Sequence, residues 1–129
     1  MSERGATIQF CGEEHELILT TGATKEINRR YGGLDKLGEE FFSSKGFEER
    51  IDESIWLLTL LINQGILTHN VKNRNAPEKQ KQLYTEEEIE ILTVPADFVE
   101  YREAIGEALQ KGATRNVKSE ESEKNAEVG

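Results

Sequence analysis

A run of large apolar residues near the middle of the chain most constrains its fold. Residues 54–65 read SIWLLTLLINQG, with seven large apolar side chains and no charge, in a chain of formal net charge −9. Apolar residues on all sides of a helix predict a helix at the centre of a domain. We expect Asp52 to cap it, Ile51 and Trp56 to form a hydrophobic staple, and Gly65 to end it.

The size and composition of the chain predict one soluble domain. Its 129 residues suffice for one core, and the 32% charged residues indicate a well-solvated surface. The apolar run is too short for a membrane span, which needs about 20 residues. The N-terminus has no secretory signal pattern, and the single cysteine, Cys11, cannot form an internal disulfide. We therefore expect a cytoplasmic protein in which Cys11 is an inert, half-buried thiol.

The first residues predict a β-hairpin. In TIQFCGEEHELIL, apolar and polar residues alternate, and Gly12 supplies a turn residue. Matching apolar faces places Phe10 opposite Leu17 and Ile8 opposite Leu19.

Helical spacing begins after the hairpin. Thr21 is the expected N-cap of a first helix that ends at Gly32, and Asp35 is the expected cap of a second. Two apolar stripes support these helices, one of Ala23, Ile27 and Tyr31 and the other of Leu34, Leu37 and Phe41.

The second half of the chain predicts a loop, two helices and a tail. Residues 66–84 are polar and mostly basic and predict a long mobile loop. Thr85 and Glu88 form a capping-box pattern, and Pro95 opens a last helix that ends at Gly112. The core stripe of that helix is Phe98, Tyr101, Ile105, Ala108 and Leu109. We expect one α+β domain over residues 1–112, a hairpin on four to five helices, and a disordered charged tail over residues 113–129.

The chain contains no recognisable catalytic, cofactor or metal-binding pattern. The two histidines, His15 and His69, have no second ligand at metal-binding spacing, and the glycines of YGGLDKLG lack the context of a phosphate-binding loop. With a pI near 4.8, nucleic acid is also an unsuitable partner. We expect a binding or assembly protein rather than an enzyme.

Two groups of residues are candidates for partner binding. Phe41 and Phe42 are adjacent and cannot both face one core stripe, and Phe47 lies in a Gly/Ser-flanked stretch, although core packing is the simpler reading of these rings. Between Thr85 and Leu109 the carboxylates, including Glu100, Glu103 and Glu107, are opposed by Arg102 alone. Such a row is typical of a solvated surface, or else of an acidic face that binds a basic protein.

The order of these motifs resembles the tail assembly chaperones of long-tailed bacteriophages and prophages. The resemblance covers about residues 6–112. Its most telling pieces are INRRYGGLDKL, WLLTLLINQG and YTEEEIEILTVP.

The resemblance implies a non-enzymatic role, without cofactors, in virion assembly. Such chaperones coat the tape-measure protein, keep it soluble, recruit tail-tube subunits and are absent from the mature virion. It also implies action in the cytoplasm of the bacterial host and leaves self-association open. The expected binding surface is a modest apolar patch of Phe41, Phe42 and Phe47 with a rim of Glu100, Glu103 and Glu107. The rival reading is an acidic inhibitor or DNA mimic that occupies a basic nucleic-acid-binding cleft.

Overall fold

The structure is a computed structural model that describes residues 4–41, 43 and 46–128. Over these ranges it has an N-terminal antiparallel hairpin followed by five α-helices, which confirms the predicted α+β class. The strands are β1 Gly5–Phe10 and β2 Glu13–Ile18. The helices are α1 Thr21–Tyr31, α2 Leu34–Phe41, α3 Phe47–Lys72, α4 Glu86–Leu92 and α5 Phe98–Val128. Short 3₁₀ turns at Pro77–Lys79 and Pro95–Asp97 lie before α4 and α5.

The hairpin has a tighter turn than the apolar matching predicted. Phe10 pairs with Glu13 and Ile8 with His15, so the predicted pairing with Leu17 and Leu19 is wrong. The turn consists of Cys11 and Gly12 alone, with φ values of 54° and 75°. Two successive residues of positive φ follow the twist of the strands, and this turn geometry sets the register. The predicted apolar face is nevertheless correct, since Ile8, Phe10, Leu17 and Leu19 are all buried.

Cys11 lies at the tip of this turn and is exposed. The prediction of a half-buried thiol is therefore wrong. The alternation of the strand placed Cys11 on the polar face, and the two-residue turn moves it further out into solvent.

Both ends of α1 are stabilised by caps. The Thr20 side chain accepts a hydrogen bond from the Ala23 amide at 3.1 Å, so the N-cap is Thr20 and not the predicted Thr21. Gly32 ends the helix as predicted, in the left-handed region at φ 89°. In α2, Asp35 lies in the first turn rather than before the helix, where its charge still suits the helix dipole.

Helix α3 is longer than predicted in both directions. It begins at Phe47 and ends at Lys72, so Asp52 lies inside it and Gly65 does not stop it. Gly65 is instead a contact residue, because a Cβ atom there would lie 2.0 Å from the main-chain oxygen of Glu16 in β2.

Gly112 has the same role in α5. The helix passes this residue, and a Cβ atom there would lie 2.6 Å from Cβ of Leu19. The prediction that Gly112 ends the helix is wrong for that reason. Whether residues 113–129 are disordered in solution stays a prediction.

The core lies where the hairpin meets α3 and α5. Helix α3 packs on β2 and α5 packs on β1, so the apolar run is central to the fold as expected. The largest fully buried side chains come from the hairpin and every helix: Phe10, Leu17, Ile18, Ile27, Leu37, Leu57, Leu58, Leu61, Ile62, Ile89 and Ile105.

The segment after α3 is held by hydrogen bonds. Asn63 binds the main chain of Tyr84 through both its side-chain atoms, at 2.8 and 2.9 Å. Asn70 does the same with the main chain of Lys81, at 3.0 and 2.9 Å. The predicted mobile loop over residues 66–84 is therefore wrong: its first part belongs to α3, and side-chain amides of α3 pair with the backbone of its last part.

The predicted start of α4 is confirmed. The Thr85 hydroxyl accepts from the Glu88 amide, and the Glu88 carboxylate accepts from the Thr85 amide, which completes a capping box. The predicted stripe of α5 faces the core, with Phe98, Tyr101 and Ile105 buried.

Candidate helix-binding groove

Helix α3 leaves one apolar stripe on the outside of the protein. Trp56, Leu60, Leu67 and Val71 are spaced i, i+4, i+11 and i+15, which places them along one side of the helix. Trp56 and Leu60 are half-buried, whereas Leu67 is 40% exposed. The core thus covers only part of the apolar surface that surrounds this helix.

The stripe forms the floor of a groove. Trp56, Leu60 and Leu67 line a cavity of about 300 Å³ together with Leu83, which is 45% exposed and forms one wall. The charged lining residues are Glu26 of α1 and Glu86 of α4, both carboxylates. We call these six residues the α3 groove.

The Trp56 end of the α3 groove is built from stacked aromatic and cationic groups. The Tyr31 ring meets the indole edge to face at 5.9 Å, and the Arg30 guanidinium lies 4.4 Å from an indole ring centroid. The Tyr31 hydroxyl donates to Glu53 Oε2 at 3.2 Å. Burial and this carboxylate raise the pKa of Tyr31 to about 12, so the phenol stays protonated. Trp56 and Tyr31, predicted as core residues, are half-buried and pack against the core.

The three phenylalanines predicted to form a patch have different surroundings. Phe41 is buried and its ring lies 4.1 Å from the Arg102 guanidinium, which agrees with core packing. Phe47, the first residue of α3, is 66% exposed. Phe42 lies outside the described residues. An exposed patch that includes Phe41 is therefore not present in this structure.

The predicted acidic rim is exposed on α5. Glu100, Glu103 and Glu107 all face solvent, and Glu107 pairs with Lys111 at 2.9 Å. Arg102 faces inward and donates to Ser54 Oγ and to the Phe41 carbonyl, each at 2.7 Å. Desolvation lowers the pKa of Arg102, although the guanidinium keeps its charge. Arg102, the one cation of residues 85–109, is thus directed into the protein.

His15 is a buried titratable residue with polar groups beside it. Its Nε2 atom lies 3.4 Å from the Tyr84 hydroxyl and 3.6 Å from a Glu13 carboxylate oxygen. Burial lowers the pKa of His15, an effect that Glu13 opposes. Because Phe10 and Tyr84 pack against the imidazole in edge-to-face contacts, this residue is part of the core under the hairpin.

Sequence reasoning missed the α3 groove. The sequence feature that indicates the groove is the apolar run, because residues 55–62 carry more apolar side chains than one packed face of a helix can bury. Leu83 carried no local signal, because it stands in the mostly polar stretch KQLYT.

Two classes of feature are not found in the parts of the chain that the structure describes. No helix there is long and apolar enough to cross a membrane. No group of three or more His, Cys, Asp or Glu side chains is arranged there to hold a metal ion.

Comparisons with known proteins leave the family unassigned. No protein-family model, curated protein or solved structure matches this chain. The function must therefore be argued from the surfaces themselves and from the resemblance of the sequence motifs.

Proposed function

We propose that this protein is a tail assembly chaperone of a long-tailed phage or prophage. It binds the tape-measure protein in the host cytoplasm, helps to recruit tail-tube subunits, performs no catalysis and leaves before the virion is complete. The observation that supports this function best is the α3 groove, an apolar floor on a rigid central helix.

The α3 groove suits a helical client. At a rise of about 1.5 Å per residue, the floor from Trp56 to Leu67 is about 16 Å long, or about three turns of a bound helix. An amphipathic helix that lays its apolar side along such a floor is a recurrent mode of recognition. A tape-measure protein, as a long helical chain, presents such a face repeatedly.

The charges around the floor select the client. Both charged lining residues, Glu26 and Glu86, are carboxylates. Glu26 already pairs with Arg29, and the Arg30 guanidinium lies over Trp56, so Glu86 is the carboxylate that a Lys or Arg beside the apolar stripe of the client would meet. A second copy of this chain fits poorly, since each copy carries a formal net charge of −9.

The small size of the α3 groove favours weak binding by many copies. Four apolar side chains line the groove, with Thr59, Asn63 and Gln64 beside them, and supply few apolar contacts per site. Many such sites on one extended client give a stable coat, and each contact remains weak enough to be displaced.

Co-expression with the tape-measure protein of the same genome tests the proposal. Size-exclusion chromatography with light scattering would count the bound copies. We expect a soluble complex of many copies with the wild type, and loss of the complex with Leu67→Ser and Leu83→Ser combined. The control is Phe47→Ser, a change of an exposed apolar residue that does not line the groove. An insoluble client, or a complex that survives the groove substitutions, would contradict the groove as the client site.

The second candidate is an acidic inhibitor that mimics DNA. The exposed row of Glu100, Glu103 and Glu107, with Arg102 turned inward, favours it. The dependence of binding affinity on salt concentration distinguishes the two functions. A mimic loses affinity steeply as ionic strength rises and when these glutamates are changed to Gln, whereas groove binding depends mainly on Leu67 and Leu83.

A further inference from the structure

A second group of exposed apolar residues lies where α4 joins α5. Ile91, Leu92, Val94 and Val99 fall within nine residues of chain and are all exposed, with Ile91 and Val99 each 72% exposed. We call these four residues the α4–α5 knuckle. None of them lines the α3 groove.

The fold holds the α4–α5 knuckle in one shape. Ile89 and Phe98 are the buried residues on either side of the turn, and they direct their neighbours outward. The Asp97 carboxylate accepts from the Val94 amide at 2.9 Å, and the Thr93 hydroxyl donates to the Ile89 carbonyl at 2.7 Å. Four exposed aliphatic side chains lower the solubility of a protein. Their exposure on a turn that is held by hydrogen bonds therefore indicates a binding role.

Carboxylates surround the α4–α5 knuckle on both helices. Glu87 lies four residues before Ile91, and Glu103 lies four residues after Val99, so each acid shares a helix face with an aliphatic side chain. Glu87 and Glu103 are exposed. Arg102, the cation nearest in sequence, is directed inward to Ser54.

We propose that the α4–α5 knuckle binds an amphipathic, Lys/Arg-bearing helix of another protein. The aliphatic side chains contact the apolar stripe of that helix, and the surrounding glutamates contact its flanking cations. A second copy of this chain is the wrong occupant, because a symmetric contact at the knuckle would bring the two acidic rims together. This proposal is independent of the proposed function and uses a different surface.

The probe is a synthetic 14-residue helix of Leu and Lys in amphipathic order, titrated into isotope-labelled protein. Amide shifts in NMR spectra report the site. We expect saturable shifts centred on residues 91–99, and about tenfold weaker binding for Ile91→Ser combined with Val99→Ser, because two apolar contacts are lost. Phe47→Ser, a matched change of an exposed apolar residue outside both surfaces, should leave the affinity measured from the shifts of residues 91–99 unchanged.

Three results would overturn the proposal. The first is equal binding of a peptide of Ser and Lys with the same charge, which would show that charge alone drives the interaction. The second is a set of shifts that map to the α3 groove instead of the knuckle. The third is a dimer, seen by light scattering without peptide, that Val99→Ser dissociates, since the occupant would then be a second copy. Failure of the tape-measure complex would leave these results unaffected, because that experiment depends on the groove.

Discussion

Gly65 of α3 lies directly against the main chain of Glu16 in β2. A methyl group built on Gly65 would lie 2.0 Å from the Glu16 oxygen and 3.1 Å from its carbonyl carbon. The hairpin therefore approaches the central helix at a distance that only glycine allows. This contact determines how closely β2 packs on α3 and lets the helix continue to Lys72.

Gly65→Ala should destabilise the fold by about 3 kcal/mol, because the new Cβ overlaps backbone that cannot move without shifting β2. Urea unfolding followed by circular dichroism measures the loss. The matched control is Gly38→Ala in α2, where nothing lies within 4 Å of the added Cβ. That change should stabilise the protein by up to about 1 kcal/mol, since alanine is the better helix residue. Equal effects of the two substitutions would contradict the close contact.

The capping box should contribute measurably to stability. Thr85→Ala removes the hydroxyl that accepts from the Glu88 amide and should cost about 1 kcal/mol. Glu88→Ala removes the reciprocal bond to the Thr85 amide, and the double variant should lose less than the sum of the two single changes. Glu87→Ala, in the same turn but outside the box, serves as the control. Strict additivity in the double-mutant cycle would argue against a coupled cap.

His15 should make the protein less stable as the pH falls below neutrality. Burial lowers the pKa of His15 from 6.5, with Lys81 acting in the same direction and Glu13 against it. Well above pH 6.5 the ring is neutral in both states and contributes no pH dependence. As the pH falls through this value, the unfolded chain binds the proton first, so the free energy of unfolding decreases.

The measurement is a set of urea midpoints between about pH 7.5 and pH 5.5, a range in which histidine titrates and most carboxylates do not. His15→Gln should flatten the profile of stability against pH while retaining a polar group at that position. An identical slope in the variant and the wild type would show that His15 does not carry the effect.

Arg102 should be more important for stability than an exposed arginine. Its guanidinium donates to Ser54 and to the Phe41 carbonyl and lies over the Phe41 ring. Arg102→Leu leaves those partners without this donor and should cost about 2 kcal/mol. Arg29→Leu is the comparison, because Arg29 forms only a surface pair with Glu26 in the same helix and should change stability by less than about 0.5 kcal/mol. A smaller loss at Arg102 than at Arg29 would contradict its structural role.

The sequence predicted the fold class and the buried faces but not the contacts between elements. Alternation placed Ile8 and Phe10 on the core side correctly, because the period of side chains in a strand is local information. The register depended on the backbone angles of Cys11 and Gly12, which apolar matching does not include. A glycine in the sequence is equally compatible with a helix end, as at Gly32, and with a close contact, as at Gly65.

The sequence did not predict the residues of the candidate surfaces. The predicted surface was an apolar patch of Phe41, Phe42 and Phe47 with a rim of Glu100, Glu103 and Glu107, and its role in partner binding stays a prediction. The α3 groove consists of other residues, because Phe41 occupies a buried core position. The sequence shows that Phe41 and Phe42 are adjacent, but not which of the two rings is buried. Leu83 lines the same cavity as Leu67, and Asn63 binds the main chain of the neighbouring Tyr84, a contact across 21 residues.

Photo-crosslinking from the α3 groove tests the central claim most directly. A benzoylphenylalanine in place of Leu67 would be irradiated in cells that also express the tape-measure protein, with the same probe in place of the exposed Gln110 on α5 as the control. Helix-in-groove binding predicts a strong covalent adduct with the client from position 67 and little from position 110. Adducts of equal yield from both positions, or from position 110 alone, would contradict the α3 groove as the client-binding surface.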